Sequence, residues 1–449
     1  MKTTFLFAIG LTALFTSTLP VMHAAEATHP RLFFSAGEIP ALREKIKREP
    51  HSAMFQAMKA DGEKLLAAAA GSYDQSDPQL DIRKAAPGVP YALWTVYASC
   101  VWIGNALAHP DFGDDNAGVS GEGSFGLAFY YATDALKPGL KYWYDRTIGS
   151  KGVKDYDSHR GSRLYSILYY PADLAEKQPM EIPEWREAFV DTGGNGLFTY
   201  RNTYTPHESI VAQIYAKLRG DKGHSGSDAL SFRILGLDTA WAVGGGRYGP
   251  KTGGQNVYFR SMNTLYPIDP DGKLAINGNS GRIVGTPVSK PDGSGSVVMS
   301  ISENNVGTKE HKRSFLTDFS KKAGVDAVCV IADKSANGKF WQMVTVEGNA
   351  VATSANTFTI QGAGGATLRG TVVYPTGDLG WKTGKRIRGS NFIGDIDENN
   401  FVHFQTPDGK ALVVLTVARR GQQHPAVIGN EQALRVGGAA YRVADESIE

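Results

Sequence analysis

Two periodicities divide the chain. In its first part apolar residues recur every three or four positions, at Ile39, Leu42 and Ile46 and then through residues 52–70, a spacing that places them on one face of a helix. Ser35 precedes Glu38 by three residues, which predicts a capped helix start there. Residues 90–109, rich in aromatics, read as a further helix. FGLAFYYATDAL reads as another, ended by Lys137-Pro138-Gly139, and the stretch from Tyr142 to Leu174 as one more helix pair. The chain up to about residue 190 is therefore expected to be all-helical, with at most roughly four helix pairs at about 40 residues per pair.

From Gly194 the period shortens to two. Strands are predicted at 296–302, 326–333, 340–348 and 357–375. The clearest hairpin is 401–418, with Pro407-Asp408-Gly409 as its turn. Short strands separated by turns, without helices, indicate a large antiparallel β-sandwich. The expected fold class is α+β, with a helical domain over 29–192 and a sandwich domain over 194–449.

Composition adds an address. Met1-Lys2, an apolar run from Phe5 to about Phe15 and small residues around Ala24-Ala25 form a secretory signal peptide, residues 1–25, cleaved near Ala25. A periplasmic or secreted protein without a membrane anchor is expected. The formal charge of +2 gives no field that would draw nucleic acid. Cys100 and Cys329 fall in different predicted domains and read as two buried free thiols.

Candidate chemistry concentrates between Tyr215 and Tyr266. Alternating residues from Ile210 to Leu218 lead to a Gly-rich turn holding His224 and Asp228, then to a second alternating run through Leu230, Phe232 and Ile234. Gly244, Gly245 and Gly246 follow, where the backbone must turn or approach something closely, and then Arg247 and Tyr248. No helix follows the glycines, which excludes a dinucleotide loop, and there is no nucleophile elbow for Ser-His-Asp hydrolysis. The structural alternatives are that His224 hydrogen-bonds a strand turn, Asp228 caps it, and Tyr248 and Tyr258 are packing residues.

The opening HPRLFFSAGEIPALREKI, and more specifically GHSGSDALSFRILGLDTAWAVGGGRYG followed by RSMNTL, resemble the heparinase II/III-like polysaccharide lyases. That resemblance implies an (α/α) toroid-like helical domain, here incomplete, and a β-sandwich forming a cleft for uronate-containing polysaccharides. His224, Asp228, Leu230, Ser231 and Phe232 match the family pattern. The three positions at which the family has zinc ligands are Gly226, Gly244 and Met262. Glycine offers no side chain and a thioether suits zinc poorly, so the family-type zinc site is predicted lost and no cofactor is expected.

The implied reaction is β-elimination, which needs a carboxylate neutraliser, a base and an acid. The resemblance points to His224 as base or neutraliser. Tyr248 and Tyr258 are candidate acid/base phenols, and His159, in the polar YDSHRG cluster, a candidate from the helical side. Arg247 and Arg260 are candidates to hold a carboxylate, with Asp228 and Asn263 as further substrate-binding residues. Trp94, Trp102, Trp143 and Trp185 read as core, and the basic runs 309–313 and 381–389 as solvated loops. The functional expectation is an exported lyase acting on an acidic polysaccharide. The alternative is a non-catalytic carbohydrate-binding or structural remnant of that fold. A homo-oligomer, in which a second copy completes the helical part, is a further reading.

Overall fold

The computed structural model describes residues 36–68, 101–103, 106–108, 128–130, 132–146, 162–186, 189–190, 192, 196–218, 229–246, 259–275, 280–304, 306–389 and 396–449. Among them strands far outnumber helices. The helices are α1 (Ile39–Lys45), α2 (His51–Ala68), α3 (Lys137–Tyr144), α4 (Ser162–Tyr169) and α5 (Pro183–Arg186). None is long and apolar enough to cross a membrane. An aromatic cluster joins them: Phe129, Trp143, Tyr144, Tyr170 and Trp185 are buried together with Tyr204, whose hydroxyl donates to the Trp185 carbonyl at 2.9 Å.

Three local expectations are corrected here. Lys137-Pro138-Gly139 begins α3 instead of ending a helix, because proline in the first turn lacks only an N–H that has no partner there anyway. Within the stretch read as helix at 90–109, β1 (Val101–Ile103) and β2 (Ala106–Ala108) pair as an antiparallel ribbon. A short apolar run without punctuation fits a strand as well as a helix. The first strand of the next sheet, β3 (Phe189–Val190), starts inside the stretch expected to be helical.

The β part has two facing layers. One is an eight-stranded sheet in the order β14-β15-β16-β19-β12-β11-β10-β9. Its members are β9 (Gly281–Ser289), β10 (Gly295–Glu303), β11 (Lys309–Asp318), β12 (Ala327–Lys334), β14 (Ala350–Ser354), β15 (Thr357–Gln361), β16 (Thr367–Tyr374) and β19 (Lys410–Ala418). The other layer holds two sheets. One joins β3 to β4 (Leu197–Arg201), β5 (Ile210–Tyr215), β6 (Phe232–Gly236) and β7 (Thr239–Ala242). The second, in the order β17-β18-β13-β8, comprises β8 (Leu265–Tyr266), β13 (Phe340–Val346), β17 (Lys382–Gly389) and β18 (Ile396–Gln405). A single core holds Ile214, Phe232, Phe315, Ile331, Trp341, Phe404 and Val413 from both layers, as expected when alternating strands turn their apolar sides together. Cys329 lies in this core as a free thiol, and burial pushes it up to about 12; Cys100 lies outside the described residues. A ribbon of β20 (Val427–Gly429), β21 (Ala433–Val436) and β22 (Ala439–Arg442) covers part of the outer face of the large sheet through Leu434, Val436 and Tyr441.

The predicted strands at 296–302, 326–333, 340–348 and 357–375 all appear, but the 401–418 hairpin does not. β18 pairs with β13 and β17, whereas β19 pairs with β12 and β16. Pro407-Asp408-Gly409 reverses the chain between layers. The turn residues specify reversal, and the apolar inner sides of the two strands then face one another across the core.

The basic run 309–313 is also not a solvated loop. It is the start of β11, and alternation sends His311 and Arg313 inward, both 0% exposed. There Asp333 accepts four hydrogen bonds. Arg313 grips it twice, Nε to Oδ1 at 2.6 Å and Nη2 to Oδ2 at 2.8 Å, His311 Nε2 lies 2.8 Å from Oδ1, and Trp341 Nε1 donates to Oδ2 at 3.1 Å. Arg313 also donates to the carbonyls of Leu230 and Asn263. Burial alone would raise the Asp333 carboxyl; the Arg313 charge, helped by His311, outweighs it and holds the group at about 2. Burial pushes His311 down, so the ring is neutral and donates its Nε2–H to the carboxylate.

Removing one partner of a buried ion pair leaves the other charge unmet. Asp333→Asn is expected to lower stability by about 3–5 kcal/mol, read as a fall in urea midpoint at constant slope. A loss below about 1 kcal/mol would mean Arg313 finds another acceptor. In the parent protein the Asp333 contribution is present above the ordinary carboxyl value of 3.8 and is lost as pH falls through about 2.

Candidate functional site

The outward side of the four-stranded sheet sets polar side chains beside the apolar Val344 and Phe401. In β13, Trp341 and Met343 enter the core, so Gln342 and Val344 face out; in β18, Val402 and Phe404 enter it, so Phe401 and His403 face out. Lys382 lies opposite His403, Gly384 opposite Phe401, and Arg386 opposite Asn399. A Cβ on Gly384 would sit 3.1 Å from the Phe401 ring. Arg386 packs on the same ring, its guanidinium 3.9 Å over it. The run 381–389 is therefore a strand with a buried arginine and not a solvated loop.

Arg386 is 6% exposed. Its Nε donates to Gln342 Oε1 at 3.1 Å, and Nη1 donates to Asp271, which Lys382 also binds. Burial would raise Asp271, but the Lys382 and Arg386 hydrogen bonds hold it near 2. Gln342 Nε2 donates to the Arg260 carbonyl at 2.8 Å. Among the described residues, four buried polar atoms on this face have no partner: Arg386 Nη2, Arg260 Nε, His403 Nδ1 and Asn399 Oδ1. Buried N–H groups are nearly always satisfied in proteins, so the two guanidinium N–H groups call for an acceptor beyond those described.

The same face anchors the chain on both sides of residues 247–258. Asn399 Nδ2 donates to the Gly244 carbonyl at 2.8 Å, and Val243 N to the Val344 carbonyl at 2.9 Å. On the return, the Arg260 carbonyl is held by Gln342. Arg260 therefore stands on this face, with one Nη donating to the Gly272 carbonyl at 3.3 Å.

Asn263 is corrected as a substrate contact. It is 0% exposed and its hydrogen-bonding capacity is used inside the fold. Nδ2 donates to the carbonyls of Phe232 at 2.6 Å and Val243 at 2.9 Å, and Oδ1 accepts from Val344 N at 2.7 Å. Its role is to lock β6, β7 and β13 together. His224, Asp228, Arg247, Tyr248, Tyr258 and His159 lie outside the described residues, as does Gly226. Arg386, Gln342 and His403 were missed by sequence reasoning; the available signal was the period-two register of 381–389, which sets Arg386 on the same side as Lys382.

The zinc position of the resembled family can be tested against Arg233. This arginine is 0% exposed. Its Nη1 donates to Ser231 Oγ at 2.7 Å, and its Nη2 lies 3.8 Å from the Met262 sulfur. A permanent guanidinium charge beside the sulfur repels a dication at short range. Gly244 contributes only a carbonyl, already bound by Asn399. These residues do not fit a zinc ion.

No family model matches the sequence, and no curated protein matches it. Solved structures do match in fold. A heparinase III, the BT4657 gene product, aligns with TM-score 0.52 and 13% identity over 91% of this chain and 61% of its own. A heparan sulfate lyase HepC from Pedobacter heparinus gives TM-score 0.51 and 14% identity over 90% and 61%. Another heparinase III structure gives 0.52 and 12% over 80% and 54%. The chain thus shares their fold and spans about 61% of the length of the first of them.

Burial pushes His403 down to about 4 from 6.5. The unfolded chain then binds a proton first, so this histidine's contribution is intact above 6.5 and is lost as pH falls towards 4. His51 and His424, lowered to about 4 in the same way, add to the slope. His403→Gln is expected to flatten the dependence of urea midpoint on pH across that window. A variant profile parallel to the parent's would show His403 does not titrate this way.

Proposed function

We propose that the protein is an exported, metal-independent polysaccharide lyase that cleaves an acidic, uronate-containing polysaccharide by β-elimination. The observation that carries this reading is the polar sheet face: two guanidinium N–H groups that find no acceptor among the described residues lie where the chain leaves for, and returns from, residues 247–258. The shared fold with heparinase III and heparan sulfate lyase structures supports the same substrate class. So does the resemblance of residues 223–249 and 260–265 to the family's site-bearing segment. The helical part is read as a shortened toroid that forms the other wall of the cleft.

In this reading Arg386 and Arg260 hold the uronate carboxylate and neutralise its charge, which acidifies the proton on the adjacent carbon. Loss of that proton and expulsion of the glycosidic oxygen create a carbon–carbon double bond, and the leaving oxygen takes up a proton. His403 is too weakly basic to abstract the proton near neutral pH. The base and acid roles therefore fall to His224, Tyr248 and Tyr258, with His159 as a candidate from the helical side and Arg247 as a further carboxylate ligand. Asp228 is a further candidate for binding the substrate.

The second reading, a binding protein of the same fold without turnover, is favoured by Arg233 beside Met262, where the resembled family has a zinc ligand. Incubation with a panel of uronic polymers separates the two, because elimination creates an ultraviolet-absorbing unsaturated uronate. Turnover is expected, lost in His224→Ala and reduced about ten- to a hundredfold in kcat/KM in Arg386→Gln. Binding of a polymer without product would establish the second reading, and full activity in Arg386→Gln would remove that residue from the site.

A further inference from the structure

The outer face of the eight-stranded sheet carries a row of cations running across its strands. Arg282 in β9 lies opposite Ser300 in β10, Ser300 opposite Lys312 in β11, Lys312 opposite Lys334 in β12, and Lys334 opposite Lys410 in β19. Their neighbours His311, Arg313, Asp333 and Ala411 are buried on the inner side, so alternation turns the row outward. At about 4.8 Å between strands, four cations and one hydroxyl span roughly 19 Å.

Like charges directly opposite one another destabilise a sheet, and here three lysines stand side by side. Among the described residues no carboxylate lies within ion-pair distance of Lys312 or Lys334. Lys410 reaches Asp408 and Glu431 only at 3.9 Å. The lysines line a groove of about 480 Å³, whose lining also includes Glu431, Gln432 and Asp445 from the C-terminal segment. That volume is in the range of small-ligand sites.

The mixture of charges selects the occupant. A nucleic acid presents closely spaced phosphates, which Glu431 and Asp445 would repel. An acidic sugar chain presents isolated anionic groups for the lysines and hydroxyl donors for the carboxylates and the Gln432 amide. We propose that this groove is a second binding site for an acidic oligosaccharide. It lies on the outer side of one layer while Arg386 lies on the outer side of the other, so it engages the polymer independently of the sheet-face site.

The test uses the full chain carrying Arg386→Gln, which weakens the first site, titrated with oligogalacturonate, a heparin oligosaccharide and an oligo-dT strand. One or both acidic sugars are expected to bind, and to bind at least tenfold more weakly once Lys312→Gln, Lys334→Gln and Lys410→Gln are added. Binding of neither sugar, binding unchanged by the lysine substitutions, or equal affinity for oligo-dT would overturn the proposal. Release of unsaturated uronate is a separate readout, so failure of the lyase reading leaves this outcome interpretable. Without ligand, Lys334→Gln alone is expected to raise Tm by relieving the facing charges. A fall in Tm would overturn the premise that these lysines stand unpaired.

Discussion

A carboxylate with no access to water sits at the centre of this fold. Asp333 is tolerable there because each of its oxygens receives two hydrogen bonds and a bidentate guanidinium cancels its charge. The requirement propagates outward. Arg313 must reach across to the carbonyls of Leu230 and Asn263, so the ion pair fixes where β6 begins and where the chain enters β8. Asn263 transmits that position to β7 and β13 through Val243 and Val344. The polar face of the four-stranded sheet thus rests on an ion pair buried beneath it, and β13 serves both, Trp341 donating to Asp333 and Gln342 facing out.

Much of the β part was legible because alternation is a local signal: 296–302, 326–333 and 340–348 are strands in register with their inner residues in the core. What failed was partnership. The turn at 407–409 announces reversal but says nothing about which sheet the next strand joins. The runs 309–313 and 381–389 looked solvated because their charges are dense. Period two nevertheless buries His311, Arg313 and Arg386, and the groups that make burial tolerable, Asp333 and Gln342, come from elsewhere in the chain. Asn263 was read as a substrate-binding residue, and an amide side chain at that point fits a structural knot as well as a ligand contact.

The two outer faces of the sandwich divide their charge differently. On the four-stranded sheet, Arg386 is buried and interlocked with Asp271 and Gln342, leaving a few directed N–H groups. On the eight-stranded sheet, cations are exposed, in line and weakly paired. A buried, shaped donor set discriminates geometry, whereas an exposed row answers to charge density and spacing. The solved structures that share this fold do so at 12–14% identity. At that distance the sandwich persists while the side chains on its faces are free to change.

The eight-stranded sheet also ends in two unlike borders. β9 carries Pro287 and a left-handed Gly285 against the backbone of Glu446, and its pairing with β10 slips near Ser296. Such features discourage an extra strand. β14, AVATS, is short, uncharged and largely exposed, with its free margin unprotected by proline or lysine. Among the described residues, an added strand meets a proline and a bulge at β9 and neither at β14, so edge-to-edge self-association is polarised in this molecule.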